Sequence, residues 1–421
     1  MLERSNRYRA ETWDIMQLFF GSYNDHQIRA VISLNDRLDE QRLEKAAFLI
    51  ADTIPVLKSR FVEHPLRAYW AETPVDHFVS LCATDEPEQK INRLITGATD
   101  ECTGPQLQLE IVRAPSTDTL CILVNHMVCD AAGFKECLYL LSDTYAALAK
   151  DPGYKPPYNC GGRGMGQVLR AYGGCFGMLK ILKAPHGMSK HDCGFKFPLE
   201  GDTSSPFIIT RKLPGDRMRA IKSYGNALGA TVNDVILAAY MRALHSFLGL
   251  NDGDRLVVPC AVDLRKYLPE RRAQGICNLT STIACDIELD SHDRFEETVK
   301  KVKRSMDAEK SSLSCLSGPM KLELFYRVLP YKFFKKFLQK VFINPPIFMT
   351  NIGIIDRSRL DFGGPASSVY ITGSVKYHPY FQLALTTFND ELTFSVNFYG
   401  TRNDRDRIEA FLSLVEGEFP E

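Results

Sequence analysis

The stretch Leu120–Gly133, with the sequence LCILVNHMVCDAAG, decides how the rest of this chain is interpreted. Its first five residues form an apolar run that is typical of a buried strand. His126 follows where that strand ends, and Asp130 comes four residues later, before a helical pattern begins. An imidazole with an ordinary pKa of about 6.5 can accept and return a proton near neutral pH. This order makes His126 a candidate general base, and Asp130 a carboxylate that can hold the turn by a hydrogen bond or an ion pair.

The spacing His-x-x-x-Asp also arises by chance, where it is only structural, so its context has to support it. After Gly133, apolar residues recur at helical spacing and predict an amphipathic helix with one buried face. Further upstream, Gln27–Leu34 alternates like a half-buried strand, and Asp39 opens a second amphipathic helix. Pro55 ends that helix, and we expect residues 56–61 to be extended.

Size and composition indicate the broad class of the protein. A chain of 421 residues is too long for one ordinary core and suggests two domains or subdomains. Hydrophobic residues make up 45% and charged residues 24%, which is typical of a soluble globular protein. Lys plus Arg and Asp plus Glu both number 51, so no net charge favours a nucleic-acid partner. Strands and helices mix in both halves, which predicts an α/β fold.

Targeting and metal-site signals are weak. The N-terminus, Met1–Arg7, is polar and lacks the apolar segment of a signal peptide. No apolar stretch approaches the roughly 20 residues of a membrane span. The 12 cysteines form no Cys-x-x-Cys pair, which argues against a zinc ribbon or a thioredoxin-type site. We therefore expect a cytoplasmic protein that holds no metal ion.

Composition also divides the chain. Residues 161–205 are rich in glycine and include proline, which is typical of a connecting segment. We predict one subdomain over residues 1–160, which carries His126 and Asp130, a crossover linker over 161–205, and a second subdomain over 206–421.

The segment Lys321–Lys340 interleaves aromatic and aliphatic residues with basic ones. Such a stretch can lie on an anionic membrane surface, receive a carrier protein, or bind a phosphate of coenzyme A. The plainer interpretation is a buried helix that has a solvated basic edge.

Several segments together resemble the CoA-dependent acyltransferase superfamily. This superfamily includes chloramphenicol acetyltransferase, the condensation domains of nonribosomal peptide synthetases, plant alcohol acyltransferases and wax ester synthases. The resemblance spans nearly the whole chain, although each motif alone is weak. The segments that carry it are Leu38–Leu43 with Ile54–Phe61, Asn125–Gly133, Gly229–Ala239, Val262–Arg265 with Gly275–Asn278, and Met349–Gly353.

The resemblance implies a fold and a mechanism. The expected fold has two chloramphenicol acetyltransferase-like α/β subdomains, each with two layers, arranged as a V-shaped pseudo-dimer with a central tunnel. His126 would act there as the general base that deprotonates the acceptor as it attacks an acyl thioester. Asp130 would point away from the substrate and pair with Arg265, tying the two halves together. No covalent intermediate is required, so Cys129 is interpreted as a packing residue.

Other matching positions are expected to support the site. Asn125 stands where many members of the superfamily have a second histidine, and it can still hydrogen-bond within the loop. Gly133 opens the helix after the motif, and Asn278 belongs to the Gly275–Asn278 segment. Asn278, Thr350 and Asn351 could line the tunnel, help to hold the oxyanion, or be only structural.

We therefore expect an acyltransferase that moves an acyl group to a small-molecule alcohol. It would bind no cofactor, and its donor co-substrate would be acyl-CoA or the phosphopantetheine thioester of an acyl-carrier protein. One alternative is a condensation-type enzyme that forms amides from an amine acceptor and carrier-bound substrates. Another is a catalytically inactive binding homologue. The two fused halves can complete the site within a monomer, and peripheral membrane contact through Lys321–Lys340 stays open.

Overall fold

The computed structural model describes residues 6–157, 161–172, 174–184 and 195–420. Residue 173 and residues 185–194, which belong to the predicted crossover linker, lie outside the described residues. So do residues 158–160 and the polar residues 1–5.

The first half alternates strands and helices. Its elements are β1 (Arg7–Arg9), α1 (Thr12–Phe20), β2 (Gln27–Leu34), α2 (Glu40–Thr53), β3 (Ser59–Val62), β4 (Tyr69–Glu72), β5 (Val79–Ala83), α3 (Pro87–Ile95), β6 (Leu107–Arg113), β7 (Asp118–Asn125) and α4 (Ala131–Lys150). The strand predicted at β2 is confirmed, and Asp39 caps α2 by accepting from the N–H of Arg42 at 3.0 Å. The extended conformation predicted for residues 56–61 is partly wrong. Pro55–Lys58 forms a 3₁₀ turn, since proline suits the first position of a helix, and only then does β3 begin.

The second half follows after a helical connection. Its elements are α5 (Gly166–Ala171), α6 (Gly174–Lys183), β8 (Pro206–Leu213), α7 (Gly215–Ala227), α8 (Val232–Leu248), β9 (Arg255–Asp263), β10 (Thr280–Glu288), α9 (Phe295–Ser311), α10 (Ser314–Val328), α11 (Tyr331–Val341), β11 (Ile347–Ile354), β12 (Ala366–Thr372), β13 (Phe381–Phe388), β14 (Glu391–Tyr399) and α12 (Arg402–Gly417). The basic amphipathic stretch Lys321–Lys340 is two helices, because the backbone becomes extended at Leu329 before Pro330, which caps α11.

Two large sheets organise these elements. The first has the order β12-β2-β7-β6-β5, and the second has the order β10-β9-β11-β13-β14-β8. A smaller sheet, β1-β4-β3, flanks the first. β12 comes from the second half of the sequence but pairs antiparallel with β2, with Thr372 opposite Arg29. The predicted α/β fold is confirmed, and one strand of the second half completes the sheet of the first.

Each large sheet has its own buried core. The predicted amphipathic helix is α4, whose buried apolar face packs into the first core. Tyr331, Phe334 and Leu338 of α11 lie in this first core too, although they come from the second half of the sequence. β12 and α11 therefore fix the two halves together around the space between them. Within the described residues, no helix is long and apolar enough to cross a membrane.

Candidate active site

A cavity of about 720 Å³ lies between the two halves of the chain. His126 and Asp130 contribute to one wall, and residues 280–284 of β10 contribute to another. Thr350 and Asn351 of β11 also line it, as do the last residue of β12, Thr372, and Gly373, Ser374 and Lys376 beyond it. Phe325 and Phe342 belong to a part of the lining that is mainly apolar. The cavity therefore combines a few polar groups with a larger apolar surface, which is typical of a small-molecule site.

His126 enters this cavity because β7 ends one residue before it. Its backbone N–H donates to the carbonyl of His26 at 2.8 Å, which continues the pairing of β7 with β2. Burial lowers the pKa of His126 to about 4, because a charged imidazole loses its hydration there. The positive charge of Lys376 lowers this pKa further, and the charge of Asp130 opposes both effects. His126 is therefore neutral at pH 7, which is the form that can accept a proton.

Asp130 has three hydrogen-bond partners that fix the turn after His126. One carboxylate oxygen accepts from the N–H of Gly133 at 2.8 Å, so Asp130 is the N-cap of α4. The other accepts from the N–H of Leu279 at 2.6 Å and from Nη1 of Arg265 at 2.9 Å. The ion pair that the resemblance implied is thus present, and it joins the two halves of the chain. It leaves little of the Asp130 carboxylate free for a substrate.

Arg265 is buried, and both of its terminal nitrogens have partners. Its Nη2 donates to the carbonyl of Cys277 at 2.8 Å, and its Nη1 also contacts Asp263 at 3.0 Å. The carboxylates of Asp130 and Asp263 raise the pKa of Arg265 above its ordinary value, although burial acts in the opposite direction. Asp263 is 48% exposed, whereas Asp130 is 6% exposed, so the pair with Asp130 is the one shielded from water.

Gly133 permits the close approach of the two halves at this point. A Cβ atom there would lie 2.7 Å from the carbonyl oxygen of Cys277 and 2.9 Å from Cβ of Cys129. Both distances are shorter than van der Waals contact, so any larger residue would push α4 away from the segment that carries Asn278.

Asn278 and Asn125 hold the loop rather than contact the cavity. Nδ2 of Asn278 donates to the carbonyls of His126 at 2.9 Å and of Met127 at 3.1 Å. Oδ1 of Asn125 accepts from the N–H of Met127 at 3.0 Å. Both side chains are buried and lie outside the cavity wall. They therefore fix the backbone on either side of His126, which is a positioning role.

Thr350 and Asn351 lie in the cavity wall, as the resemblance implied. Asn351 is exposed at the edge of the cavity, where its Nδ2 donates to the side chain of Asn233 at 3.2 Å and its Oδ1 accepts from the N–H of Gly353. These contacts leave little of Asn351 free to hold an oxyanion.

Three basic residues at the site were not predicted from the sequence. Arg163 reaches from the linker to Asp14 at 2.9 Å and to the carbonyl of Val128 at 2.9 Å, inside the motif loop. The sequence feature that could have indicated Arg163 is the glycine-rich segment around it. The structure explains one of these glycines, since a Cβ on Gly161 would lie 1.7 Å from the carbonyl oxygen of Gln274. Lys135 lies on α4 and donates to the carbonyl of Ile352 at 2.8 Å.

The third is Lys376, four residues beyond the end of β12, which lines the same cavity as His126. Its sequence context, a short Gly373-Ser374-Val375 segment after a strand of mixed polarity, gave no signal of this role.

Comparisons with known proteins agree with this architecture. Residues 276–410 match the family model described as the WS/DGAT C-terminal domain. No curated protein matches the chain by sequence.

Solved structures with the same fold cover nearly the whole chain. Polyketide synthase associated protein 5 from Mycobacterium tuberculosis is 14% identical, with a TM-score of 0.67 over 97% of this chain and 98% of its own. The first condensation domain of the CDA synthetase is 16% identical, with a TM-score of 0.70 over 99% and 97%. Trichothecene 15-O-acetyltransferase from Fusarium sporotrichioides is 14% identical, with a TM-score of 0.69 over 99% and 96%. Residues 276–410 thus match a WS/DGAT-type C-terminal domain, and the chain as a whole has the fold of these condensation-domain and acetyltransferase structures.

Proposed function

We propose that this protein is an acyltransferase that moves an acyl group from a thioester to an alcohol, with His126 as the general base. The observation that carries the proposal is a neutral imidazole in the wall of a large, mainly apolar cavity. Fold likeness to an O-acetyltransferase is compatible with a hydroxyl acceptor. Donor candidates are acyl-CoA and the phosphopantetheine thioester of an acyl-carrier protein.

The reaction needs two proton transfers, one to His126 and one from it. His126 takes the proton of the acceptor hydroxyl as its oxygen attacks the thioester carbonyl carbon, since a neutral alcohol is a poor nucleophile. The tetrahedral intermediate then collapses and the carbon–sulfur bond breaks. The thiolate leaves with the electron pair of that bond, and the imidazolium returns its proton to give the free thiol. Donor and acceptor occupy the cavity together, so no covalent enzyme intermediate forms.

Asp130 and Arg265 have a positioning role in this proposal. Their ion pair and the cap of α4 hold the turn that follows His126, and Asn278 holds the carbonyl of His126 itself. An error of about 1 Å in the position of a base can cost about a hundredfold in rate. Removing either partner is therefore expected to lower activity without removing the base.

A second candidate is a condensation-type reaction with an amine acceptor, which likeness to a condensation domain favours. An inactive binding homologue is the third. All three are separated by measuring free-thiol release from acyl-CoAs of increasing chain length with alcohol acceptors and, separately, amine acceptors. Release with alcohols supports the proposal, and release with amines alone favours the second candidate. Repetition with an acyl-carrier protein distinguishes a carrier donor from an inactive homologue.

A further inference from the structure

Lys376 has a fixed backbone position, and its ammonium group has no ion-pair partner among the described residues. Its N–H donates to the carbonyl of Asn397 at 3.0 Å, and its carbonyl accepts from the N–H of Tyr399 at 2.9 Å, so β14 holds the residue firmly. Its side chain belongs to the wall of the cavity. Among the residues that the structure describes, no carboxylate lies within 4.0 Å of its ammonium group and no acceptor binds it.

The carboxylate whose charge raises the pKa of Lys376 belongs to Asp25, and it already accepts four hydrogen bonds. Both terminal nitrogens of Arg29 donate to it, as do the N–H groups of Gln27 at 3.2 Å and Val375 at 3.0 Å. Asp25 therefore neutralises Arg29 rather than Lys376.

The other charged groups of the cavity wall have partners. Asp130 and Asp263 pair with Arg265, and Lys135 binds the carbonyls of Ile352 and Ile354. Lys321 also interacts with another group. Within the described lining, the ammonium of Lys376 is thus the charge that protein groups leave uncompensated. Burial lowers the pKa of Lys376 to about 8, the charge of Asp25 raises it, and that of Arg29 lowers it. The amine is mostly protonated at pH 7, and an anion beside it would offset the loss of hydration.

The topology of the sheet sets the position of Lys376 relative to the base. β7, β2 and β12 are neighbours, and both His126 and Lys376 follow the ends of their strands at the same edge. Two strand spacings separate β7 from β12, which is on the order of 10 Å. Their side chains approach closely enough for the charge of Lys376 to lower the pKa of His126. A substrate several bonds long can therefore contact both residues at once.

We propose that Lys376 binds an anionic group of the acceptor, so that the preferred acceptors are alcohols carrying a carboxylate or a phosphate several bonds from the hydroxyl. This inference rests on the proposed function, because it assigns the acceptor class of the same cavity. Lys376 acts here as a specificity-determining residue, and His126 stays the base.

The test compares pairs of acceptors, each with one anionic member and one neutral analogue. In one arm, hydroxy acids of increasing length are compared with their methyl esters; in the other, alcohol phosphates are compared with the parent diols. The wild type, Lys376→Gln and Lys376→Arg are assayed for thiol release at pH 7. We expect the wild type to prefer the anionic member of at least one arm in kcat/KM by about tenfold to a hundredfold, the range of one charge-assisted hydrogen bond.

The ratio of kcat/KM between the anionic and the neutral acceptor should fall to about one in Lys376→Gln, mainly through KM. It should return in Lys376→Arg. Lys336 is exposed and lies outside the cavity wall, so Lys336→Gln should leave this ratio unchanged. The arm that shows the preference identifies a carboxylate or a phosphate. A wild type without preference in either arm, or a Lys376→Gln protein that keeps it, would overturn the inference.

Failure of the proposed function has a different signature, namely no turnover with any acceptor. In that case the same hydroxy acids and alcohol phosphates are titrated into the proteins without donor, with heat release and melting temperature as readouts. Binding that weakens at least tenfold in Lys376→Gln supports the anion site without an acyltransferase. Equal binding to both proteins, or no binding to the wild type, refutes the site itself.

Discussion

Replacing Asp130 separates the two tasks of its carboxylate. Asp130→Asn keeps an oxygen that can cap α4 at the N–H of Gly133 but removes the negative charge opposite Arg265. The guanidinium is then left buried, with only the exposed Asp263 as a counter-ion. Breaking a buried ion pair by removing one partner typically costs about 3–5 kcal/mol. Asp130→Ala also loses the cap, which adds about 1 kcal/mol.

The size of the chain sets the expected shift in melting temperature. With an unfolding entropy of about 2.1 cal/mol/K per residue, a cooperative transition of 421 residues has an entropy of roughly 0.9 kcal/mol/K. A loss of about 4 kcal/mol then lowers the melting temperature of Asp130→Asn by about 4–5 °C. Differential scanning calorimetry measures this shift, and urea titration measures the free energy of unfolding independently.

Asp263→Asn is the matched control, since Asp263 contacts the same Nη1 of Arg265 at 3.0 Å but is 48% exposed. An exposed ion pair contributes about 1 kcal/mol or less, so this variant should melt within about 1 °C of the wild type. Equal shifts for both variants, or an unchanged melting temperature for Asp130→Asn, would refute the assignment of the buried pair.

Four further predictions concern the pH dependence of the rate, the pH dependence of stability, the glycine and the basic helix. Because the working base is neutral and burial lowers its pKa to about 4, kcat/KM with an uncharged alcohol acceptor should stay level from about pH 8 to pH 5 and fall as pH drops through 4; a fall centred near 6.5 would contradict the burial of His126. Since unfolded histidine protonates near 6.5, the wild type should also lose up to about 3 kcal/mol of stability relative to His126→Gln as pH falls from 6.5 to 4, measured by urea titration. Gly133→Ala should destabilise the protein by about 1–3 kcal/mol through overpacking against Cys277, whereas Gly417→Ala, with open space at its Cβ, should not; equal effects would contradict the close approach. If the lysines of α11 contact a membrane, vesicles containing anionic lipid should bind the protein, and Lys332→Gln with Lys336→Gln should weaken binding by roughly 30-fold; binding that ignores both substitutions would exclude this surface.

The sequence was most informative where local chemistry decides the structure. The apolar run before His126 predicted a strand, and the spacing after Gly133 predicted the helix α4, because burial of one face imposes a period on each element. The pairing of Asp130 with Arg265 came from the resemblance instead, since no local pattern relates residues 135 positions apart.

The features that the sequence did not predict depend on long-range packing. The pairing of β12 with β2 joins residues more than 300 positions apart, and nothing in either strand encodes its neighbour. Lys376 lines the cavity only because of that pairing, so its sequence context could not indicate its role. Pro330 indicates that a helix ends near Leu329. The basic and apolar residues continue on both sides of it, however, so the sequence pattern did not show two separate helices.

The central claim is that His126 is the base, and the most direct measurement is the rate of thiol release by His126→Ala beside the wild type, with the best donor and alcohol. His245→Gln serves as the control, because His245 is buried on α8 and lies outside the cavity wall. We expect a loss of about 10²–10⁴-fold in kcat for His126→Ala, with an unchanged fold by circular dichroism, and a normal rate for His245→Gln. A folded His126→Ala protein that releases thiol at the wild-type rate would contradict it.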